Sequence, residues 1–228
     1  MHPARASLRS TAPKPPQDGE AARSRGIQRA TLVAILTNSP LALGQVFIGL
    51  FANAFSLVAD AAHTLSDLVT DLLVLIAGRR SADPADGDHP YGHARIETAT
   101  TMLLGAVLGG VGIGFLWNSG VRLQDMDAQP ALHPAALAMA LFTLLAKEGL
   151  FRYTLAAARR LRAPMLEANA WHARSDAASS LVVAAGSGGS LAGYPFLEPL
   201  AAAVVGFLIL HMGVKLAWNA VGELIDTG

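Results

Sequence analysis

The sequence of 228 residues contains no cysteine and little charge, since only 15% of its residues are Asp, Glu, Lys or Arg. The absence of cysteine excludes disulfides, thiolate metal sites and cysteine nucleophiles, so a metal site here must use His, Asp, Glu or backbone oxygen. An average soluble domain is about 25% charged. Here 52% of the residues are hydrophobic and the mean hydropathy is +0.40, a composition that predicts a membrane protein.

Three sequence signatures of catalysis are also missing. The chain has no H-E-x-x-H zinc-protease motif, no G-x-x-x-x-G-K-[ST] phosphate loop and no G-x-S-x-G elbow. We therefore expect no nucleotide as a partner, and the protein is not expected to be an enzyme. The formal net charge is zero, and we expect no nucleic acid as a partner either.

Apolar segments occupy most of the chain, and each is long enough for a membrane-spanning helix. A bilayer core of about 30 Å needs about 20 helical residues. The segments cover residues 28–51, 55–78, 92–118, 133–157, 166–191 and 197–222. The sequence therefore predicts an all-α membrane protein, with a six-helix transmembrane domain over residues 27–228 that lies in the lipid bilayer.

Residues 1–26 differ from the rest, because they are rich in Pro, Ser, Gly and basic residues and show no apolar period. They predict a disordered cytoplasmic tail. A signal peptide cleaved after Ala54 is a less favoured interpretation, because the preceding apolar run is longer than the usual apolar region of about 7–15 residues.

The arginines of the loops indicate the orientation in the membrane. One set of connections is basic, and contains Arg79, Arg80, Arg95, Arg159, Arg160 and Arg162. The connections on the opposite side contain Arg122 alone between residues 119 and 132, and no Lys or Arg at 52–54 or 191–196. The positive-inside rule then places the N-terminus and the C-terminus in the cytoplasm.

Two of the apolar segments contain the same polar pattern, His-x-x-Ser-Asp. It occurs once at His63 to Asp67 and again at His172 to Asp176. Residues four apart share one face of a helix, so each pattern presents an imidazole beside a carboxylate. An ionisable side chain at membrane depth costs several kcal/mol and indicates function. The sequence therefore predicts a site formed by these four residues.

Three further polar residues lie near these pairs: Asp60, Asp71 and Asn169. They either orient the ligands or only support packing. Two imidazoles and two carboxylates suit a tetrahedral divalent ion such as Zn²⁺. The same groups bind protons near neutral pH, and metal affinity falls as they do. Such a site can exchange a metal for protons, as an antiporter does. The alternative functions are a membrane metalloenzyme, a non-transporting metal sensor and a haem protein.

Two other polar clusters have less specific patterns. Asp86, His89 and His93 lie in the loop after the second segment, where a metal site and an ordinary polar turn are equally favoured by composition. In the fourth segment, Lys147, Glu148 and Arg152 predict an interfacial ion pair with snorkelling cations. The third segment has small-x-x-x-small spacings at Gly105/Gly109 and Gly110/Gly114, which predict close helix packing.

Together these residues resemble a known family, the cation diffusion facilitators, over residues 30–226. The resemblance rests on three stretches, which are Ser56 to Asp67, Pro84-Ala-Asp86 with His89-Pro-Tyr-Gly-His93-Ala-Arg-Ile-Glu97, and Trp171-His172-Ala-Arg-Ser-Asp176.

The resemblance implies a homodimer that exports divalent metal from the cytoplasm in exchange for protons by alternating access. It implies a transport site at His63, Asp67, His172 and Asp176, and a second, cytoplasmic site at Asp86, His89 and His93. Histidine at both first positions resembles the zinc pattern, whereas the His-Pro-Tyr-Gly-His loop resembles the branch that also carries iron. Zn²⁺ is thus the first expectation, with Fe²⁺, Mn²⁺, Co²⁺ and Cd²⁺ as alternatives.

Most members of that family continue into a cytoplasmic ferredoxin-like domain, and this sequence stops where that domain would begin. We therefore expect a transmembrane domain without it, either because the protein lacks the domain or because the sequence is part of a longer protein. The expected location is the plasma (inner) membrane of a bacterium, as a multi-pass protein.

Overall fold

The structure is a computed structural model that describes residues 17–80, 94–126 and 130–226. In these ranges it contains helices and no strand. The helices are α1 (Gln17–Phe51), α2 (Phe55–Arg80), α3 (Ala94–Gln124), α4 (Ala135–Leu161), α5 (Pro164–Leu191) and α6 (Leu197–Asp226). The prediction of an all-α fold is confirmed, and each predicted apolar segment corresponds to one helix.

The first helix begins earlier than the sequence predicts. Helix α1 starts at Gln17, within the expected tail, and runs without interruption into the apolar segment. Ala30 is buried beside Leu166, and Ile27 packs against the same cluster at the α4–α5 turn. This packing stabilises the first residues of the apolar run as a helix. The helix can therefore extend from them towards the N-terminus. The rest of the predicted tail, residues 1–16, lies outside the described residues.

Three of the described helices are long and apolar enough to cross a membrane by length and composition. The qualifying parts are Arg25–Phe51, Thr98–Gln124 and Leu197–Gly222, in α1, α3 and α6. The other three helices, α2, α4 and α5, contain ionisable residues within their apolar runs, which lower the mean hydropathy.

Small residues face the interior of the bundle and large apolar residues face outwards. The buried hydrophobic residues are mostly alanines, whereas Phe47, Trp117 and Trp218 are 71%, 76% and 77% exposed. Lipid tails are as apolar as these side chains, so helices in a membrane associate through small residues that permit close packing. This distribution supports the assignment as a membrane protein.

The helices pack as a ring of four with a closely packed pair beside it. In the ring, α1 packs against α2 and α4, and α5 packs against α4 and, less extensively, against α2. Helices α3 and α6 form the most extensive contact, and α6 joins this pair to α2 and α5. The polar residues of α2, α4 and α5 can therefore meet inside the ring.

Glycines allow α3 and α6 to approach closely. A Cβ atom at Gly105 would lie 2.6 Å from the backbone N of Ala217, and one at Gly213 would lie 2.5 Å from the N of Gly109. Gly110 and Gly114, by contrast, have open space where a Cβ would stand. The predicted close packing is therefore present at the Gly105/Gly109 pair and absent at the Gly110/Gly114 pair in the single chain.

A buried carboxylate links the start of α6 to the start of α2. Oε1 of Glu198 accepts a hydrogen bond of 2.7 Å from the backbone N–H of Ser56, and Glu198 is only 6% exposed. Ser56 lies in the first turn of α2, where backbone N–H groups have no partner within the helix and favour a negative charge. This contact fixes the end of α2 that precedes the polar pattern.

Candidate metal centre

Helices α2 and α5 bring the four predicted ligands together. Nε2 of His63 lies 3.8 Å from Oδ2 of Asp67 and 3.8 Å from Oδ1 of Asp176. Nε2 of His172 lies 3.9 Å from Oδ1 of Asp67 and 3.9 Å from Oδ2 of Asp176. We call these four side chains the His–Asp ring. Three of them, His63, Asp67 and Asp176, have ligand atoms within 4.8 Å of one another and could hold a metal ion.

The spacing of the His–Asp ring suits a shared ion better than direct hydrogen bonds. Its nitrogen–oxygen distances of 3.8–3.9 Å exceed those of hydrogen bonds. A tetrahedral zinc ion with ligands at about 2.0–2.1 Å would separate its donor atoms by about 3.4 Å. The ring would therefore have to contract by about half an ångström to coordinate such an ion.

Three side chains of the His–Asp ring are largely buried, and the fourth is half exposed. The side chains of His63, Asp67 and Asp176 are 10%, 11% and 14% exposed, whereas that of His172 is 50% exposed. Nδ1 of His63 is buried and has no hydrogen-bond partner among the described residues. For Nε2 to offer its lone pair to an ion, the proton of the neutral imidazole must lie on Nδ1.

A second polar cluster lies beside the ring, around an ion pair that the sequence did not predict. Asp60 is fully buried, and its Oδ1 lies 3.6 Å from Nζ of Lys147 on α4, which is 2% exposed. The interpretation of Lys147 as an interfacial, snorkelling cation was wrong. Its side chain points from α4 into the space between α1, α2, α4 and α5, where the carboxylate of Asp60 offsets its charge.

The prediction of an ion pair in α4 is confirmed for the two other residues. Nε of Arg152 donates a hydrogen bond of 2.8 Å to Oε1 of Glu148, and the Arg152 side chain is 76% exposed. These residues are four apart and lie on a different face of the helix from Lys147.

Hydrogen bonds from three helices complete the cluster around Asp60. The hydroxyls of Ser179 and Ser180 on α5 each lie 2.8 Å from one of its carboxylate oxygens, and Nε2 of Gln45 on α1 donates to Oδ2. Nζ of Lys147 donates to Oγ1 of Thr64 over 3.0 Å. We call Asp60 and these five partners the Asp60 network.

The sequence did not predict which residues contact Asp60, because spacing within one helix does not show which neighbouring helix a side chain meets. The available signal was Asp60 and Lys147 themselves, opposite charges in two apolar segments. Asp60 is not a member of the His–Asp ring but lies one turn before His63, which agrees with the supporting role considered for it. Asn169, partly buried, lies one turn before His172.

Some predicted residues cannot be placed. Asp86, His89 and His93 fall in residues 81–93, which are outside the described residues, and the side chain of Asp71 is also outside them. The loop metal site remains a prediction.

Comparison with known proteins identifies the family of the chain. Residues 31–225 match the family model described as the cation efflux transmembrane domain. The chain belongs to the cation efflux family. The resemblance to the cation diffusion facilitators is thereby confirmed, and the matched range includes the His–Asp ring and the Asp60 network.

Relatives of the chain include plant and bacterial proteins. The chain is 35% identical to metal tolerance protein C1 of Arabidopsis thaliana, over 82% of the chain and 42% of that protein. It is 32% identical to metal tolerance protein 2 of Oryza sativa subsp. japonica, over 91% and 60%. It is 28% identical to the manganese efflux system protein MneP of Bacillus subtilis, over 87% and 69%. The chain thus spans less than two thirds of the two plant proteins.

Proposed function

We propose that the chain forms the transmembrane part of a secondary transporter, not an enzyme, that exports divalent metal ions from the cytoplasm in exchange for protons. The observation that carries the proposal is the His–Asp ring, in which each imidazole nitrogen lies 3.8–3.9 Å from both carboxylates. Ligand atoms of His63, Asp67 and Asp176 also lie within 4.8 Å of one another, so these three could hold a metal ion. Membership of the cation efflux family supports the same conclusion.

Charge balance in the His–Asp ring explains why protons would be the counter-ion. Two carboxylates and two neutral imidazoles carry two negative charges, which a divalent ion neutralises. Once the ion leaves, two negative charges remain close together in a largely buried site, and such burial is costly in a membrane. Protons that bind to the imidazoles and carboxylates restore neutrality, and they weaken metal binding when they do.

The exposure of His172 gives the ion a route into the ring. Three of the ligand side chains are largely buried, so an ion would first meet the exposed imidazole and then the two carboxylates. Transport requires the ring to open in turn to each side of the membrane. Helices α2 and α5 provide all four ligands, so their separation controls this opening.

Zinc is the proposed substrate because two imidazoles with two carboxylates are a usual ligand set for a tetrahedral Zn²⁺ ion. Fe²⁺, Mn²⁺, Co²⁺ and Cd²⁺ compete for the same donors. The name of the Bacillus subtilis relative refers to manganese, so zinc and manganese are the first pair to compare. We propose that Asp86, His89 and His93 add a cytoplasmic binding site that concentrates the ion.

The remaining parts of the proposal concern assembly and location. We place the protein in a bacterial plasma membrane as a homodimer, with both termini in the cytoplasm. Site-specific labelling of single cysteines tests the orientation, because the chain has no cysteine of its own. Cross-linking in native membranes tests the dimer.

Reconstituted vesicles test the transport. The wild-type protein should move zinc inwards or outwards along its gradient and move protons in the opposite direction. His172→Ala and Asp67→Ala should each abolish both movements. The matched control is His211→Ala, which removes an exposed imidazole on α6 that stacks on Phe207 and should leave transport unchanged.

Two results would contradict the proposal. Normal transport by both ring variants would show that the His–Asp ring is not the transport site. Tight zinc binding by a wild-type protein that moves no ion would instead indicate a non-transporting metal sensor.

A further inference from the structure

The Asp60 network contains a buried ion pair that need not add to the stability of the fold. Asp60 is fully buried and Lys147 is 2% exposed, so both charges have lost their water. Replacing a buried ion pair by apolar residues of similar volume is often neutral or stabilising, because desolvation offsets the attraction. The pair is therefore weak evidence for a contribution to folding, and its position suggests another role.

The network contacts both ligand helices beside the His–Asp ring. Lys147 donates to Thr64, the residue after His63, and its Nζ also lies 3.5 Å from the backbone carbonyl oxygen of Asp176. Both contacts come from one ammonium group on α4. One ammonium group thus contacts both the turn of α2 next to His63 and the turn of α5 that contains Asp176.

The Asp60 carboxylate ties the same two helices directly. Hydroxyls of Ser179 and Ser180 on α5 lie 2.8 Å from Oδ1 and Oδ2 of Asp60 on α2. Overall, α2 and α5 pack against each other much less than α4 packs against α5. These hydrogen bonds, one turn from the His–Asp ring, are therefore well placed to set the distance between the two ligand helices.

We propose that Asp60 and Lys147 are positioning residues that set the width of the His–Asp ring and thereby its selectivity among divalent ions. This inference rests on the proposed function and deepens it. A tetrahedral zinc ion would require donor atoms about 3.4 Å apart, and ions of other size or preferred geometry, such as Mn²⁺ and Cd²⁺, would require other separations. A network that fixes the helix separation discriminates between these ions, and a loosened network does not.

The decisive variant replaces both charges at once. Single replacements leave a buried charge without its partner and strongly destabilise the protein. The double variant Asp60→Asn with Lys147→Met keeps side chains of similar size and leaves no uncompensated charge. Removal of groups that orient metal ligands reduces metal affinity about 10- to 100-fold, and we expect a loss in that range for zinc. The ratio of zinc affinity to manganese and to cadmium affinity should move towards one.

The measurement is equilibrium binding of Zn²⁺, Mn²⁺ and Cd²⁺ to the purified protein, with initial transport rates in vesicles and a melting curve for each variant. The matched control is Glu148→Gln with Arg152→Met, which removes the exposed ion pair of the same helix and should leave the affinity ratios unchanged. A double variant that melts like wild type and keeps the wild-type ratios would overturn the inference.

A second variant keeps the test valid if the first does not fold. Ser179→Ala with Ser180→Ala removes the hydrogen bonds between α2 and α5 and leaves the ion pair in place. The same change of ratio is expected, and unchanged ratios would again overturn the inference. Failure of the proposed function looks different, because the wild-type protein would then bind ions without transporting any of them.

Discussion

Nε2 of His63 lies as far from Oδ1 of Asp176 on the opposite helix as from Oδ2 of Asp67 on its own, 3.8 Å in both cases. The distances from His172 are nearly the same. The His–Asp ring is therefore not two separate helix-surface pairs placed side by side. Each imidazole faces both carboxylates, and the ligand atoms of His63, Asp67 and Asp176 lie within 4.8 Å of one another. The exposed His172 would have to move closer to bind the same ion as these three.

The first prediction concerns the charge of one carboxylate. Asp176→Asn keeps the shape of the side chain and an oxygen donor, but leaves one positive charge of a bound ion uncompensated. We expect zinc affinity to fall more than about 100-fold, beyond the effect of groups that only orient ligands. Calorimetric titration measures it. Ser175→Ala, at the exposed neighbouring position, is the control, and equal affinities for these two variants would contradict a direct role for Asp176.

The second prediction concerns pH. Imidazole ordinarily titrates at about pH 6.5. A protonated ligand must lose its proton before it can bind a metal. Zinc affinity should therefore be highest above neutral pH and fall as pH drops towards 5.5, by about tenfold per unit for each proton that the ion displaces. Calorimetric titrations in buffers of different ionisation enthalpy measure how many protons are released for each ion bound. An affinity that is constant across this range would exclude metal–proton exchange at the ring.

The all-α fold was predictable because each element is an apolar run of membrane length. The sequence could also pair His63 with Asp67 and His172 with Asp176, because a spacing of four residues fixes neighbours within one helix. That α2 and α5 face each other was a hypothesis from the repeated pattern, which the spacing within each helix could not establish. Periodicity shows what shares a helix face, but not which helix that face meets.

The error at Lys147 has the same origin. A lysine near the end of an apolar run can reach the interface with its long side chain, or turn inwards if a carboxylate lies there. Only the tertiary structure shows that Asp60 lies opposite it, at 3.6 Å. The contrast between Gly112, which contacts α6, and Gly114, which does not, likewise depends on how α3 is rotated relative to α6.

The third prediction concerns the carboxylate at the start of α6. Glu198→Ala removes the acceptor for the Ser56 N–H in the first turn of α2, and loss of such a cap costs about 1 kcal/mol of stability. Melting curves in detergent should show a lower midpoint. Glu148→Ala removes a carboxylate from the exposed ion pair of α4, which contributes about 0–1 kcal/mol, and it should melt close to wild type. Equal midpoints for the two variants would show that Glu198 does not stabilise α2.

The last prediction separates two glycines of one helix. A Cβ at Gly112 would lie 2.5 Å from the backbone N of Leu210 and 2.8 Å from the carbonyl oxygen of Gly206, both on α6. Backbone atoms cannot move aside as a flexible side chain can, so Gly112→Leu must push α3 and α6 apart. Overpacking of this kind costs about 1–3 kcal/mol, and we expect a lower melting midpoint and weaker association of the two helices.

Gly114→Leu is its matched control, because it adds the same side chain two residues later on α3, where a Cβ meets nothing within 4 Å. It should melt close to wild type as a monomer in detergent. If Gly112→Leu melts like Gly114→Leu, the close approach of α3 and α6 is not what holds this pair together. If Gly114→Leu alone disrupts a dimer seen by cross-linking, that open surface of α3 contacts the second copy of the chain.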